Sequence, residues 1–302
     1  DQRHGIVCDG ASPLIVDCVV YECELRGISC RLGAAPVVSN SVVDRCLFGI
    51  YAEGGSTPVL RGSTISNSGN HPELEESGTG IVALESNGLL LSNCVVRGST
   101  GRGIWLRNDP AARFEDTVVS NNLGGVKLDA SSPLFKRCVI RGNTAPDYLT
   151  IDGTVVLSGA NQAENCATIE GWEDIVDENE SGGGILCLRG SYPYLENCLL
   201  AENLTVAIDP DYPENKFVPD FGLGGAVYIG ADCEATAVNC TITDNSAFTR
   251  GGGLSTEGGI NFLRNLVVWG NTAFNHYLME GSVLSAPSDN KLITFPSLHC
   301  RS

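Results

Sequence analysis

Short runs of apolar, β-branched residues alternate with polar ones at a period of two along most of this chain, and glycine-led starts repeat them. Gly5-Ile6-Val7-Cys8 aligns with Gly27-Ile28-Ser29-Cys30, Gly49-Ile50-Tyr51-Ala52, Gly80-Ile81-Val82-Ala83, Gly103-Ile104-Trp105-Leu106 and Gly125-Val126-Lys127-Leu128. The intervals between these starts are 22, 22, 31, 23 and 22 residues. Further copies begin at Gly184, Ala226 and Gly253, and a weaker one near Gly153 ends in Cys166. A fixed period of this kind is the signature of a repeat architecture, and alternation with period two indicates strands.

Each unit carries the same internal order. About 13 residues after the glycine stands a small, mildly polar residue: Cys18, Ser41, Ser63, Cys94, Thr117, Cys138, Cys166, Cys198, Cys240, then Asn265. Two positions beyond it lies another apolar residue, as at Val20, Val43, Ile65 and Val96. Five positions beyond the small residue, Asn122, Asn143, Asn203 and Asn245 recur, and asparagine tolerates the left-handed conformation that a tight turn demands. A unit of this length cannot hold two packed helices. It suits one coil of three short strands, and about ten coils at ~4.8 Å give a rod roughly 50 Å long.

Ser12-Pro13-Leu14-Ile15-Val16-Asp17-Cys18, Ser132-Pro133-Leu134-Phe135-Lys136-Arg137-Cys138 and Gly252-Gly253-Leu254-Ser255 carry a family resemblance. Through them the sequence resembles the right-handed parallel β-helix superfamily, the fold of pectate lyases and of many secreted or surface-attached bacterial proteins. The resemblance implies an all-β, single-stranded right-handed parallel solenoid over residues 1–271. Insertions fall near 69–79, 144–152, 167–183 and 204–224, and residues 272–302 form a strand-like tail that caps the rod or joins subunits. It does not fix an activity, because one fold hosts many functions.

Composition narrows the function classes. Lys plus Arg number 19 against 36 Asp plus Glu, a formal charge of −17, with only four lysines. Nucleic acid, which needs a basic footprint, is therefore excluded as a partner. No apolar run reaches the ~18–20 residues of a membrane helix, so membrane insertion is not expected. The chain begins at Asp1, as in a processed or excised form, and the resemblance implies a secreted or cell-surface location. The 13 cysteines show no zinc spacing. Stacking places Cys8 beneath Cys30 and Cys23 beneath Cys46 at rung distance, inside the ~4.4–6.8 Å Cα window of a disulfide, so these pairs are disulfide candidates. The alternative for every thiol is a buried small hydrophobe.

The outward side chains of the strand after each glycine include Tyr51, Glu53, Trp105, Arg107, Lys127 and Asp129. Such a mixture of rings and charges is suited to stacking on and hydrogen-bonding a sugar chain. The plain alternative is a solvated sheet face. Asp129 and Glu53 lie three coils apart, ~14 Å, too far to share a calcium ion as a lyase requires. The Asn-Thr-Asp, Asp-Asp, Gly-His-Gly and Arg-Ile-Lys motifs of the polygalacturonase branch are missing. Catalysis therefore has no sequence support. Two acidic insertions, with Glu173, Asp174 and Asp177 in one and Asp209 and Asp211 in the other, offer oxygen ligands for calcium. Asn179, Asn203 and Asn239 stand in Asn-x-Ser/Thr sequons.

The ends complete the expectation. Gly5, Ile6 and Val7 are in register from the first coil, and no capping helix is apparent at either end. An open solenoid edge invites a second copy stacked head to tail, with Cys300 near the joint. The leading expectation is thus a non-catalytic extracellular structural subunit forming a filament or stalk as a homopolymer. The alternative is a carbohydrate-active β-helix, binding or cleaving a polysaccharide on the first sheet.

Overall fold

The computed structural model describes residues 3–69, 78–146, 148–151, 154–157, 182–206, 222–247, 251–257, 261–273, 293–295 and 298–300. These residues form strands and turns with no helix among them. Three long sheets run along a solenoid, and each coil gives one strand to each sheet. The first sheet has nine strands, opening with His4–Asp9, Arg26–Arg31 and Phe48–Glu53 and ending with Leu254–Thr256. The second starts at Leu14–Val16 and the third at Val19–Tyr21, each with ten strands.

Pairing between coils is parallel and in register, so like residues stack on like. Ile6 pairs with Ile28 and Ile28 with Ile50, Phe114 with Phe135, and Val119 with Ile140. One core runs the length of the rod, filled by inward columns such as Ile28, Ile50, Ile81 and Ile104, all with no exposed surface. Within it the Phe114 and Phe135 rings stack with centroids 4.8 Å apart. A short fourth sheet, starting at Thr144–Pro146, follows the third over the later coils.

Three corners turn each coil, and a left-handed residue bends the chain at each, followed at some first corners by a left-handed glycine such as Gly33. Leu32 (φ 56°), Asn40 (φ 50°) and Arg45 (φ 54°) do so for the second coil. Such a conformation costs a non-glycine residue ~1–2 kcal/mol, and hydrogen bonds at the inner side of each corner offset it. At the second corner a buried donor closes the bend onto the carbonyl two residues back. Ser41 Oγ donates to Ser39 O at 2.8 Å, Thr117 Oγ1 to Glu115 O at 2.9 Å, and Cys240 Sγ to Val238 O at 3.3 Å. In every coil before the last a small side chain with an O–H or S–H takes this place, which explains the Ser/Thr/Cys column of the sequence.

Several expectations require correction. The asparagines at the third corner are not the left-handed residues. The residue before each one bends the chain (Asn121, Gly142, Glu202, Asp244), while Asn122, Asn143, Asn203 and Asn245 point inward and are buried. Asparagine does supply left-handed bends at the second corner, at Asn40, Asn93, Asn197, Asn239 and Asn265. Asn265 therefore belongs to the bend, and Leu266 takes the buried place after it. The weaker copy expected from Gly153 to Cys166 lies mostly outside the described residues, and among the described residues no coil stands in its place. Tyr148–Ile151 and Thr154–Leu157 form an antiparallel hairpin, and the first sheet passes directly from Val126 to Ile185. Nine coils, at ~4.8 Å each, make the rod about 43 Å long.

The last coil is covered on two sides. Ile293–Phe295 pairs antiparallel with Leu266–Val268, and Leu298–Cys300 pairs antiparallel with Asn261–Leu263. The strand-like tail thus caps the second and third sheets, satisfying backbone groups that an open edge leaves unpaired.

Candidate functional site

The first-sheet strands end in a column of mostly charged residues, one per coil: Asp9, Arg31, Glu53, Leu84, Arg107 and Asp129. Asp9 stands beside Arg31, Leu84 beside both Glu53 and Arg107, and Arg107 beside Asp129. The residue after each strand end turns into the left-handed region, as at Leu32, Glu85 and Asn108. Column and corner together form a groove of about 740 Å³ over the first five coils, lined by Asp9, Arg31, Leu32, Glu53, Glu85 and Arg107 among others.

Ion pairs organise these charges. Arg31 donates from Nε and Nη2 to the two oxygens of Asp9 at 2.7 and 2.8 Å. That pair of hydrogen bonds holds the Asp9 carboxyl below its ordinary range, because it favours the charged form. Arg26 reaches Glu53 at 3.3 Å and lies 3.5 Å above the Tyr51 ring. Farther along, Asp129 is held between Arg107 at 3.6 Å and Arg189 at 3.0 Å. A carboxylate tied to arginine and held ionised is a poor general acid, so Asp9 is suited to hold a hydrogen-bonding ligand rather than to donate a proton.

The six residues expected to meet a sugar chain separate into two groups. Glu53 and Arg107 line the groove, and Tyr51 is half-buried beneath Arg26. Trp105, Lys127 and Asp129 are buried, at 5, 4 and 4% exposure, and so are not the solvated face that strand alternation suggested. Trp105 packs with Leu47, Phe48 and Val82, and Lys127 Nζ lies 6.0 Å from the Trp105 ring centroid. Alternation assigns a side chain to the outside of a sheet, and it says nothing of what then covers that side. Sequence reasoning missed Asp9, Arg31, Leu32 and Glu85 as groove residues. Asp9 and Arg31 occupy the strand position equivalent to Glu53 and Arg107, and following the charged column rather than the aromatic residues finds them.

The calcium candidates Glu173, Asp174, Asp177, Asp209 and Asp211 lie outside the described residues. Among the described residues no group of three metal-ligating side chains converges. Cys8 and Cys30 are register partners, and Cys23 and Cys46 stack at the third corner, but all four are free thiols rather than disulfides. Both thiols of each pair belong to one inward column on parallel rungs. Their Cβ atoms thus stand near rung distance, ~4.8 Å, beyond the ~3.8 Å typical of a disulfide. Burial pushes the Cys30 thiol up to about 12. At the expected joint, Ile6 packs on the core and Val7 is 45% exposed. Adding a Cβ to Gly5 would bring it 2.5 Å from Val20 Cγ1.

The stacked parallel coils with this corner chemistry match the model of the right-handed β-helix region over residues 4–168. The chain belongs to the right-handed β-helix family. That match covers more than half of the 302 residues, and the remaining coils of this β-helix continue the same three sheets as far as Trp269. No curated protein matches the chain.

Proposed function

We propose that this β-helix is a non-catalytic extracellular protein that binds a neutral polysaccharide along the first-corner groove. The observation that carries the reading is a groove to which each of five successive coils gives a charged side chain, a span of ~19 Å that suits an extended polymer. Its charges nearly cancel: Asp9, Glu53 and Glu85 against Arg31 and Arg107. Exposed Leu32, at 76%, and half-buried Leu84 supply apolar surface for a sugar face. A polyanion would be repelled by the net charge of −17. Affinity electrophoresis against neutral and acidic polysaccharides tests this. Retardation by a neutral polymer, weakened about tenfold by joint Leu32→Ala and Glu85→Ala substitution, is expected, one tenfold step being ~1.4 kcal/mol. Retardation only by polyuronates, or none at all, would overturn it.

End-to-end assembly into a filament or stalk is a second reading. One observation favours it: the first coil exposes Val7, Leu14 and Val19 at 45, 70 and 72%. The antiparallel strands over the last coil weigh against a head-to-tail joint there. Electron microscopy of the purified chain separates the two, since open-ended growth belongs only to the filament.

A further inference from the structure

The outer face of the third sheet carries fewer charged residues than that of the second, whose outward column of Leu14, Val37, Val59 and Leu90 is broken at Arg113. A column of β-branched or leucine side chains runs along the third sheet without interruption, from Val19 in the first coil to Val267 in the ninth. Its middle members, Val95, Val118, Val139 and Leu199, stack directly on one another and are half-buried. The inward residues between them, Val96, Val119 and Ile140, belong to the core, so the column itself is not needed to fill the interior. On this whole face the charged residues are Asp44, Arg97 and Arg141, a net of +1 on a chain of −17. Left-handed bends carrying charged or amide side chains, such as Asp116, Asn121 and Asn197, border it on both sides.

We propose that this face binds a second copy of the chain, so that two solenoids lie side by side. Three arguments select a second copy as the occupant. First, the column repeats at the rung spacing of ~4.8 Å, and the one partner certain to share that repeat is the same column on another molecule. Second, most of the acidic charge lies elsewhere, so two such faces approach without the repulsion that two −17 molecules otherwise meet. Third, nine coils by a three-residue strand width give a patch of ~430 Å² per copy, the size of a weak, reversible contact rather than an obligate one. An apolar centre with a polar rim is the usual anatomy of such contacts. The groove lies at a different corner of the coil, so saccharide binding and pairing are separable.

Sedimentation velocity of the full chain, over a micromolar to submillimolar series, is the test. A reversible species of twice 31.9 kDa is expected. It should tighten as salt rises, because screening reduces the residual repulsion between acidic subunits. Val118→Asp with Val139→Asp should weaken pairing at least ~100-fold, as for charges placed at an interface centre. Unchanged far-UV circular dichroism would show that the fold persists. Arg97→Glu with Arg141→Glu, both at exposed positions, provides a second variant that leaves the column intact and should also weaken pairing. A chain monomeric throughout the series overturns the proposal. So does a dimer indifferent to both double variants, or growth into species without a defined mass. Loss of polysaccharide retardation in the Val118→Asp, Val139→Asp variant would assign the face to saccharide instead and overturn it as well.

Discussion

The first four coils and the last five solve the third corner differently. In the later coils one asparagine per coil faces inward, and each amide hydrogen-bonds the next. Asn122 Nδ2 donates to Asn143 Oδ1 at 3.0 Å, Asn143 to Asn203 at 3.0 Å, Asn203 to Asn245 at 2.9 Å and Asn245 to Asn271 at 2.8 Å. The same oxygens accept backbone N–H groups one coil below, as from Asn143 N to Asn203 Oδ1 at 3.2 Å. The second amide hydrogen goes to a backbone carbonyl, as from Asn203 to Ile140 O at 2.9 Å. In the earlier coils the column reads Cys23, Cys46, Ser68, Ser99, and the buried hydroxyls of Ser68 and Ser99 have no hydrogen-bond partner. A primary amide has the donors and acceptor to join neighbours above and below and the local backbone at once. A hydroxyl or thiol does not reach that far.

The largest effect is expected where the amide chain is cut in the middle. Asn203→Leu keeps the volume but removes two donors and an acceptor at once. It leaves the Asn143 backbone N–H and the Ile140 carbonyl short of partners. At ~1–3 kcal/mol for each buried group left unsatisfied, the loss should be about 4 kcal/mol. Urea unfolding of the two proteins measures it. Ser68→Ala, at the equivalent place in the third coil, removes a hydroxyl with no partner and should change stability by less than ~0.5 kcal/mol. Equal losses at the two sites would mean that the amide chain is not what distinguishes the regions.

A smaller loss should follow from crowding the same corner. Gly103 faces the column from the first sheet, and a Cβ there would stand 2.6 Å from Asn122 Nδ2 and 2.9 Å from Val119 Cγ1. Gly103→Ala must push the amide out of line, an overpacking cost of ~2–3 kcal/mol. At Gly33 a Cβ meets nothing within 4 Å. Gly33→Ala therefore pays only for its left-handed φ of 72°, ~1 kcal/mol. Unfolding midpoints of the two variants should fall in that order.

These contrasts also show what the sequence could and could not reveal. The repeat, the three strands per coil and the columns of like residues were all legible, because stacking in register writes the structure into the spacing. The meaning of Asn122 and its successors was not. Asparagine is favoured both in left-handed bends and in inward ladders, and the two places are adjacent in the chain. Only the backbone shows that residue 121 bends and residue 122 points inward. The groove was half-legible for a related reason. Glu53 and Arg107 follow from alternation, whereas the covering of Trp105, Lys127 and Asp129 depends on contacts that no periodicity encodes.

If the amide chain is the better solution, it should be extendable. In Ser99→Asn the new Nδ2 is placed to donate to Asn122 Oδ1, which already accepts from Ser99 N at 3.0 Å. The glycine that this side chain needs is present at Gly80, whose added Cβ would lie 3.1 Å from Ser99 Oγ. A gain of ~1 kcal/mol is expected, the net worth of one more buried hydrogen bond. A loss instead would indicate that the earlier coils are too narrow at this corner for an amide.

The smallest effect concerns the two thiols that begin the column. The Cys46 thiol stacked beside Cys23 favours the Cys23 thiolate and holds that group below the ordinary thiol range. The sign follows directly. Deprotonation, and with it reactivity, sets in at a lower pH than for an ordinary thiol, whose value lies near 9.0. Cys23 is only 7% exposed, so its alkylation by iodoacetamide should be slow, yet half-maximal below the ordinary thiol value near 9.0. Cys30, raised to about 12 by burial, should stay unmodified over the same range. Removing the neighbouring thiol in Cys46→Ala should move the Cys23 midpoint upward, while Cys46→Ser, which retains an O–H, should restore part of the shift. Peptide mapping by mass spectrometry after a pH series reads both midpoints. An unchanged Cys23 midpoint in Cys46→Ala would show that the early column lacks even this one side-chain link between coils.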